Sequence, residues 1–345
     1  MILLLGLLIF SFIVTSVIIV PFINTLYFIR FQRRKQVTTD ALGKRTPIFD
    51  KFHSHKVGTP VGGGLLVISV VTLLFFILFP LIKYLGVYVS ENYPLKDQLN
   101  IIFFTFLSFG LLGLYDDIMK MFGFEKSGFF GLRLQHKFFI QWALGLIIAS
   151  LMYVNLSIDF VYFSLLGDIH LGFLYIPFAA FVIVSFTNAI NITDGLDGLA
   201  GGLLLIALFA FWVISGSILD TPLSVFLALW IGSLIAFLYF NVFPARIWMG
   251  DVGSLSFGAT FAVVGLLLGK VSALVIIGAI FVFEITTSVL QLLSKKYRGK
   301  KIFAVAPFHL LLQHRGWEEP KIVMRFWLAG IILAIFGVWL ALLQL

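Results

Sequence analysis

Cysteine is missing from all 345 residues, which excludes disulfides, thiolate catalysis and cysteine-ligated metals. Charge is scarce as well. Asp, Glu, Lys and Arg make up 12% of the chain, against ~25% in an average soluble domain. No G-x-x-x-x-G-K-[ST] phosphate loop occurs, so nothing points to ATP hydrolysis. Internal repeats and low-complexity linkers are lacking too, and one helical domain over 1–345 is the simplest organisation. The N-terminus has neither a basic n-region nor a small-residue cleavage pattern and reads as an uncleaved first span.

What is present is apolar. Hydrophobic residues make up 61% of the chain, Phe alone numbers 40, and mean hydropathy is +1.08. A membrane helix needs ~20 largely apolar residues. Such runs fall at 3–29, 61–82, 100–115, 138–155, 172–190, 199–217, 223–240, 254–269, 271–293 and 324–343. The expected fold is all-α, a polytopic integral membrane protein with about ten transmembrane helices. Net charge is +8, and its distribution is informative. Over alternate connections, 21 of the 24 Lys and Arg residues lie on one side, leaving Lys83, Lys96 and Lys270 on the other. Basic connections mark the cytoplasmic side, so both termini are expected outside. The same parity puts the polar clusters described next on the cytoplasmic face, a result the charge count did not require.

The chain is organised around residues 188–202, where Asn188, Asn191, Thr193, Asp194 and Asp197 are followed by four glycines within eight residues. Polar groups between two apolar spans are costly to keep, so a functional role is the default. A helix would put Asp194 and Asp197 on one face, where they repel unless a cation or a donor-rich ligand sits between them. The glycines would let backbone N–H groups approach an anion. An ordinary turn is the alternative.

Asp116 and Asp117 lie where the third span ends, and adjacent acids on a helix diverge by ~100°. A division of labour is expected, one acid on a metal or substrate and its neighbour paired to Lys120 or Lys137. A solvated helix end is the other reading. After the seventh span, Asn241, Pro244, Trp248 and Asp251 precede Ser254, with Gly250 and Gly253 around the acid in an expected tight loop. Asp251 is the best lone metal-ligand candidate, since Mg²⁺ takes one or two carboxylates plus phosphate oxygens and water. Trp248 suits either a planar base or the bilayer interface. His53, His55, Lys56 and the glycines to Gly64 suit a phosphate or base, or a flexible entry loop. Past the ninth span, Arg298, Lys300, Lys301, His309, His314 and Trp317 form a basic, aromatic segment suited to anionic lipid head groups. His309 lies two residues after Pro307 and is placed to reach a phosphate, or is structural. Glu284, inside the ninth span, implies a partner, a cavity or a buried hydrogen bond.

Taken together these motifs resemble the polyprenyl-phosphate N-acetylhexosamine-1-phosphate transferases. The resemblance runs from about Lys51 to Trp327. It rests on Gly58-Thr59-Pro60, Asp116-Asp117, Lys137 with Gln141, Asn188 to Ala200, Asn241 to Ser254, Glu284, Arg298-Gly299-Lys300, Gly316-Trp317 with Glu319-Pro320-Lys321, and Arg325-Phe326-Trp327. Within the family the chain looks most like the muramoyl-pentapeptide branch. That branch usually carries three consecutive histidines where this chain has His309, Leu310 and Leu311, a departure that bears on the sugar more than on the reaction. The alternative is transfer of N-acetylglucosamine-1-phosphate or a related sugar phosphate.

The resemblance implies a multi-pass enzyme of the bacterial cytoplasmic (inner) membrane. It would join UDP-N-acetylmuramoyl-pentapeptide to undecaprenyl phosphate with Mg²⁺, releasing UMP. Its partners would be these substrates and membrane lipids, with no nucleic acid; a homodimer is compatible with it. By the same resemblance, Asp251 and Asp116 would hold Mg²⁺. Asp116 would face the reacting phosphate as base, nucleophile or orienting group. Asp117 would organise a lysine, Lys137 among the candidates. Lys56, Lys137, Asn188, Asn191, Asp194, Asp197, Asn241 and Trp248 would bind substrate, and His309 would contact a phosphate or the sugar. The rivals are a transporter, which usually places charge near the bilayer midplane in repeated halves, and a sugar-nucleotide receptor without turnover.

Overall fold

With no water in the bilayer core, a spanning backbone must bond within itself, which selects helices for long apolar runs. The computed structural model describes residues 2–32, 50, 52, 56–84, 88–122, 134–163 and 167–343. His53 and His55 lie outside them. The chain order is α1 (Ile2–Phe28), α2 (Gly63–Tyr84), α3 (Leu95–Phe122), α4 (Leu134–Asn155), β1 (Phe160–Phe163), β2 (Gly167–His170), α5 (Tyr175–Thr193), α6 (Leu199–Ser217), α7 (Thr221–Asn241), α8 (Gly250–Leu267), α9 (Val271–Ile277), α10 (Ala279–Arg298), α11 (Phe308–His314) and α12 (Glu319–Leu342).

Among the described residues, nine helices are long and apolar enough to cross a membrane. The ninth expected span is instead two helices. α9 and α10 meet at Gly278 with a 73° bend. The connection at 156–171 also differs from a plain loop, because β1 and β2 pair antiparallel with Phe160 opposite His170. This hairpin is pinned to the start of α9 by the Lys270 ammonium 3.7 Å from the Tyr162 ring centre.

Two helices form the centre. α7 and α8 are almost wholly buried, whereas α1, α4 and α12 turn most of their surface outward. α7 starts cleanly, with Asp220 as N-cap accepting the Leu223 N–H at 3.0 Å and a proline in the first turn. Between α1 and α7, Ser11 donates to the Leu229 carbonyl at 2.7 Å and Thr15 to Ser233 at 2.9 Å, polar ties of the kind used where lipid supplies no hydrophobic drive. The ends of α3, α5 and α7 and the starts of α2, α6, α8 and α12 gather at one end of the bundle, tied by Gly64 N–H to Met249 O and Trp248 N–H to Pro60 O.

One contact sets the geometry of that end. A Cβ on Gly113 of α3 would lie 2.1 Å from the Asp251 carbonyl oxygen and 2.6 Å from Val252 Cα. Only glycine lets α3 approach the first turn of α8 this closely. Gly113→Val is expected to lower the stability of the detergent-solubilised protein by on the order of 1–3 kcal/mol or more, as overpacking does. Gly216→Val, where a Cβ meets nothing within 4 Å, serves as control and is expected to shift the thermal midpoint far less.

Candidate active site

Asp116 and Asp251 are 135 positions apart and share two lysines. Lys120, one helical turn after Asp116, lies 2.8 Å from Asp116 Oδ2 and 2.7 Å from Asp251 Oδ2. Lys137, at the start of α4, lies 2.8 Å and 2.6 Å from the same two oxygens. Two ammonium groups and two carboxylate oxygens thus alternate in a closed ring, partly buried at the end of the bundle. Asp251 occupies the first turn of α8 rather than the expected loop, where the helix dipole favours a carboxylate. Asn191, near the end of α5, donates to Asp251 Oδ1 at 3.0 Å and to Ser254 Oγ at 2.7 Å.

Asp117 behaves differently from the expectation that it would organise a lysine. Its Oδ2 accepts the Val252 N–H at 3.0 Å, and both hydrogen-bonded lysines belong to its neighbour. The cause is the helical divergence of adjacent side chains: Asp116 faces α4, Asp117 faces the backbone of α8.

Beside the ring lies a small pocket lined by Asp194, Gly195, Leu196, Asp197, Asn241 and Trp248. α5 ends at Thr193 and α6 begins at Leu199, so Asp194 and Asp197 sit in the turn between them instead of on one helical face. Asp197 is bound from three directions. Its Oδ1 accepts from Lys56 at 2.8 Å, its Oδ2 accepts the Ala245 N–H at 3.0 Å, and its own N–H donates to Glu319 Oε1 at 2.6 Å. Lys56 also pairs with Glu319, and its side chain is only 4% exposed. Its ammonium stands 5.5 Å from the Trp248 ring centre. Asn241 donates to the Ile247 carbonyl at 3.0 Å. Asn188 lies one turn deeper than Asn191 and donates to Gln141 Oε1 at 2.8 Å.

His309 stands in a third cluster. The buried face of α10 carries Glu284, Thr287, Gln291 and Ser294, and the segment after the helix folds back along it. Gln291 accepts the N–H groups of Ile302 and Phe303, each at 3.0 Å, and Ser294 donates to the Lys300 carbonyl at 2.8 Å. Glu284 receives His309 and brings it against the Asp194–Asp197 turn.

Of the residues expected from the sequence, Asp116, Asp251 and Lys137 meet in one ring, with Asn191 bonded to Asp251 from outside it and Asp117 on its flank. Asp194, Asp197, Asn241 and Trp248 line the pocket, and Lys56 stands behind Asp197. Lys120, Ser254, Gln141 and Glu319 complete these networks without having been selected as site residues. The signal for Lys120 was its i+4 spacing from Asp116; Glu319 stands in the Glu319-Pro320-Lys321 motif of the resemblance.

The donor chemistry at Asp116 and Asp251 fits a hard cation: two carboxylates reach the same pair of ammonium groups, with the Asn191 carboxamide alongside. Among the described residues no three His, Cys, Asp or Glu side chains converge as a ready-made metal site. Mg²⁺ would therefore draw its other ligands from phosphate and water, its usual habit.

Residues 99–269 match glycosyl transferase family 4. The chain is 35% identical to the phospho-N-acetylmuramoyl-pentapeptide-transferase of Aquifex aeolicus (strain VF5) over 95% of its own length and 89% of that protein. It is 36% identical to the protein of that name from Caldanaerobacter subterraneus subsp. tengcongensis, covering 82% and 84% of the two chains. With the one from Clostridium perfringens (strain 13 / Type A) it shares 35%, over 92% of both.

Burial, then the charges of Asp251, Asp197 and Asp117, push the Asp194 carboxyl up to about 7. A carboxyl raised in this way favours folding while it stays protonated, and that contribution is lost as pH climbs from the ordinary carboxylate range through about 7. Asp194→Asn removes the titration. In ligand-free protein its melting midpoint is expected to gain on wild type between pH ~5 and pH ~8 by a few degrees; thermal melts of both proteins at the two pH values check this. On its relatives and its helical, membrane-spanning architecture, the chain belongs to the phospho-N-acetylmuramoyl-pentapeptide-transferases of glycosyl transferase family 4.

Proposed function

We propose that this chain transfers phospho-N-acetylmuramoyl-pentapeptide from its UDP-linked form to undecaprenyl phosphate, releasing UMP, at the cytoplasmic face of a bacterial inner membrane. The observation that carries the reading is the ring of Asp116, Lys120, Asp251 and Lys137 at the polar end of an apolar bundle. The distribution of 21 of 24 basic residues supports the cytoplasmic placement. The names of the relatives favour the muramoyl sugar over N-acetylglucosamine, although Leu310 and Leu311 stand where histidines are usual.

The reaction brings two anions together. An oxygen of the lipid phosphate attacks the sugar-bearing phosphorus of the nucleotide. The bond from that phosphorus to the bridging oxygen breaks, and UMP leaves with the electron pair. Lys120 and Lys137 are placed to offset charge on the phosphoryl oxygens, and lysine clamps are an established means of stabilising such a transfer. Mg²⁺ held by Asp116 and Asp251 would supply further positive charge at the same oxygens. Asp116 Oδ2 already accepts from two ammonium groups, which supports an orienting role over proton abstraction. The attacker has little need of a base, since a phosphate monoester loses its second proton near pH ~6. Asp194, Asn241 and Trp248 line the pocket for the uridine, with Trp248 suited to stack on the base. Lys56 and Asp197 are engaged with one another, which supports a role in shaping that pocket. Asn188 would hold Gln141 beneath it.

The test is to offer purified protein undecaprenyl phosphate with UDP-N-acetylmuramoyl-pentapeptide and, separately, with UDP-N-acetylglucosamine. The lipid product is identified by mass spectrometry. UMP release with the muramoyl substrate alone is expected. Chelation should stop it and Mg²⁺ should restore it. Asp116→Asn and Asp251→Asn are each expected to cost at least ~100-fold in rate, the scale of losing one electrostatic stabiliser. Near-normal turnover in either variant removes that residue from the mechanism.

A further inference from the structure

One carboxylate holds both the backbone and the ring of His309, and the backbone of Phe308 before it. Glu284 is 0% exposed. Its Oε2 accepts the Phe308 N–H at 3.0 Å, its Oε1 accepts the His309 N–H at 3.1 Å, and the His309 ring nitrogen Nδ1 lies 3.1 Å from Oε2. Both Glu284 oxygens already act as acceptors for backbone N–H groups, and the geometry gives Nδ1 the donor's part in this contact. The ring cannot flip without giving that bond up.

The other ring nitrogen has the opposite fate. Nε2 is buried and has no hydrogen-bond partner among the described residues. It faces Gly195 so closely that a Cβ there would lie 2.5 Å from it. Gly195 lines the pocket between Asp194 and Asp197. A polar atom left unpaired in a buried position is costly. Here the cost is carried by a ring whose far side is anchored and whose bare side meets the pocket wall. The rest of α10 reinforces the aim, because Gln291 and Ser294 fasten the segment leading to His309 along the same helical face.

We propose that Glu284 is a positioning residue for the transfer, locking His309 with its hydrogen on Nδ1 and presenting Nε2 to the polar atoms of the nucleotide-linked sugar at the Gly195 turn. The inference rests on the reaction proposed above but makes a structural claim of its own. It also gives the bend at Gly278 a consequence: by turning α10 across the bundle, it brings a buried carboxylate to a histidine 25 positions further along the chain.

Two measurements decide it. ¹⁵N-histidine NMR of the detergent-solubilised wild type, with His309→Ala assigning the signal, is expected to show a hydrogen on Nδ1 of His309. A bare Nδ1 with the hydrogen on Nε2 overturns the proposal whether or not the protein turns over. UMP release is then measured for Glu284→Gln, Glu284→Asp, His309→Ala and the pair Glu284→Gln with His309→Ala. Gln must turn its amide nitrogen toward one of the N–H groups that Glu284 accepts. Glu284→Gln is therefore expected to lower kcat at least ~10-fold with a smaller change in KM. Glu284→Asp, which keeps the charge, should recover part of the loss and covers the case in which the glutamine variant does not fold. Added to His309→Ala, Glu284→Gln should cost less than ~2-fold more, since two residues acting as one unit are not additive. Near-normal turnover in Glu284→Gln, or an equal cost with and without His309, overturns the proposal. Wild type that releases no UMP overturns the reaction, while the NMR result still judges the placement of the ring.

Discussion

The polar end of this bundle depends on the mutual neutralisation of Asp116, Asp251, Lys120 and Lys137. Two carboxylates brought this close repel unless cations stand between them, and here each oxygen engaged is shared by both lysines. Removing one partner from a buried ion pair leaves an uncompensated charge and costs ~3–5 kcal/mol. The arrangement therefore holds together as a unit. It also dictates the packing around it. α3 must approach the first turn of α8 without a side chain at Gly113, and α4 must start where Lys137 reaches both acids.

The same economy of buried charge recurs twice nearby. Lys56 is held by Asp197 and Glu319, which joins the segment before α2, the turn between α5 and α6, and the start of α12. Glu284 joins α10 to the first residues of α11. In each case a buried side chain satisfies groups from more than one element, so the loops at this end are fixed relative to one another. A polar site assembled from loops gains its rigidity in this way, and rigidity is what allows preorganised charges to act on a phosphoryl group.

Much of this was legible in the residues. Apolar runs near span length located the helices, because a bilayer admits little else. Clusters of acids and amides at span ends marked the site, because such groups are expensive beside lipid. Other features were not legible. The bend at Gly278 lies inside one continuous apolar run, and hydropathy is blind to a change of direction. Asp251 reads as a loop residue between two glycines, yet Gly250 begins a helix. The roles of Asp116 and Asp117 depend on which neighbour each faces, Lys137 or the Val252 backbone, and that is a matter of packing rather than local pattern. Lys56 looks like a ligand contact in the sequence, and its two carboxylate partners, 141 and 263 positions away, were not legible there.

The convergence of Asp116 and Asp251 can be measured directly because the chain lacks cysteine. Asp116→Cys combined with Asp251→Cys, treated in native membranes with a short bifunctional thiol reagent or Hg²⁺, should be bridged within one chain, with a proteolytic fragment pattern that shifts accordingly. Each single variant should be labelled without a bridge. Two thiols that are both labelled but never bridged would place the acids apart and contradict the shared ring on which the account stands.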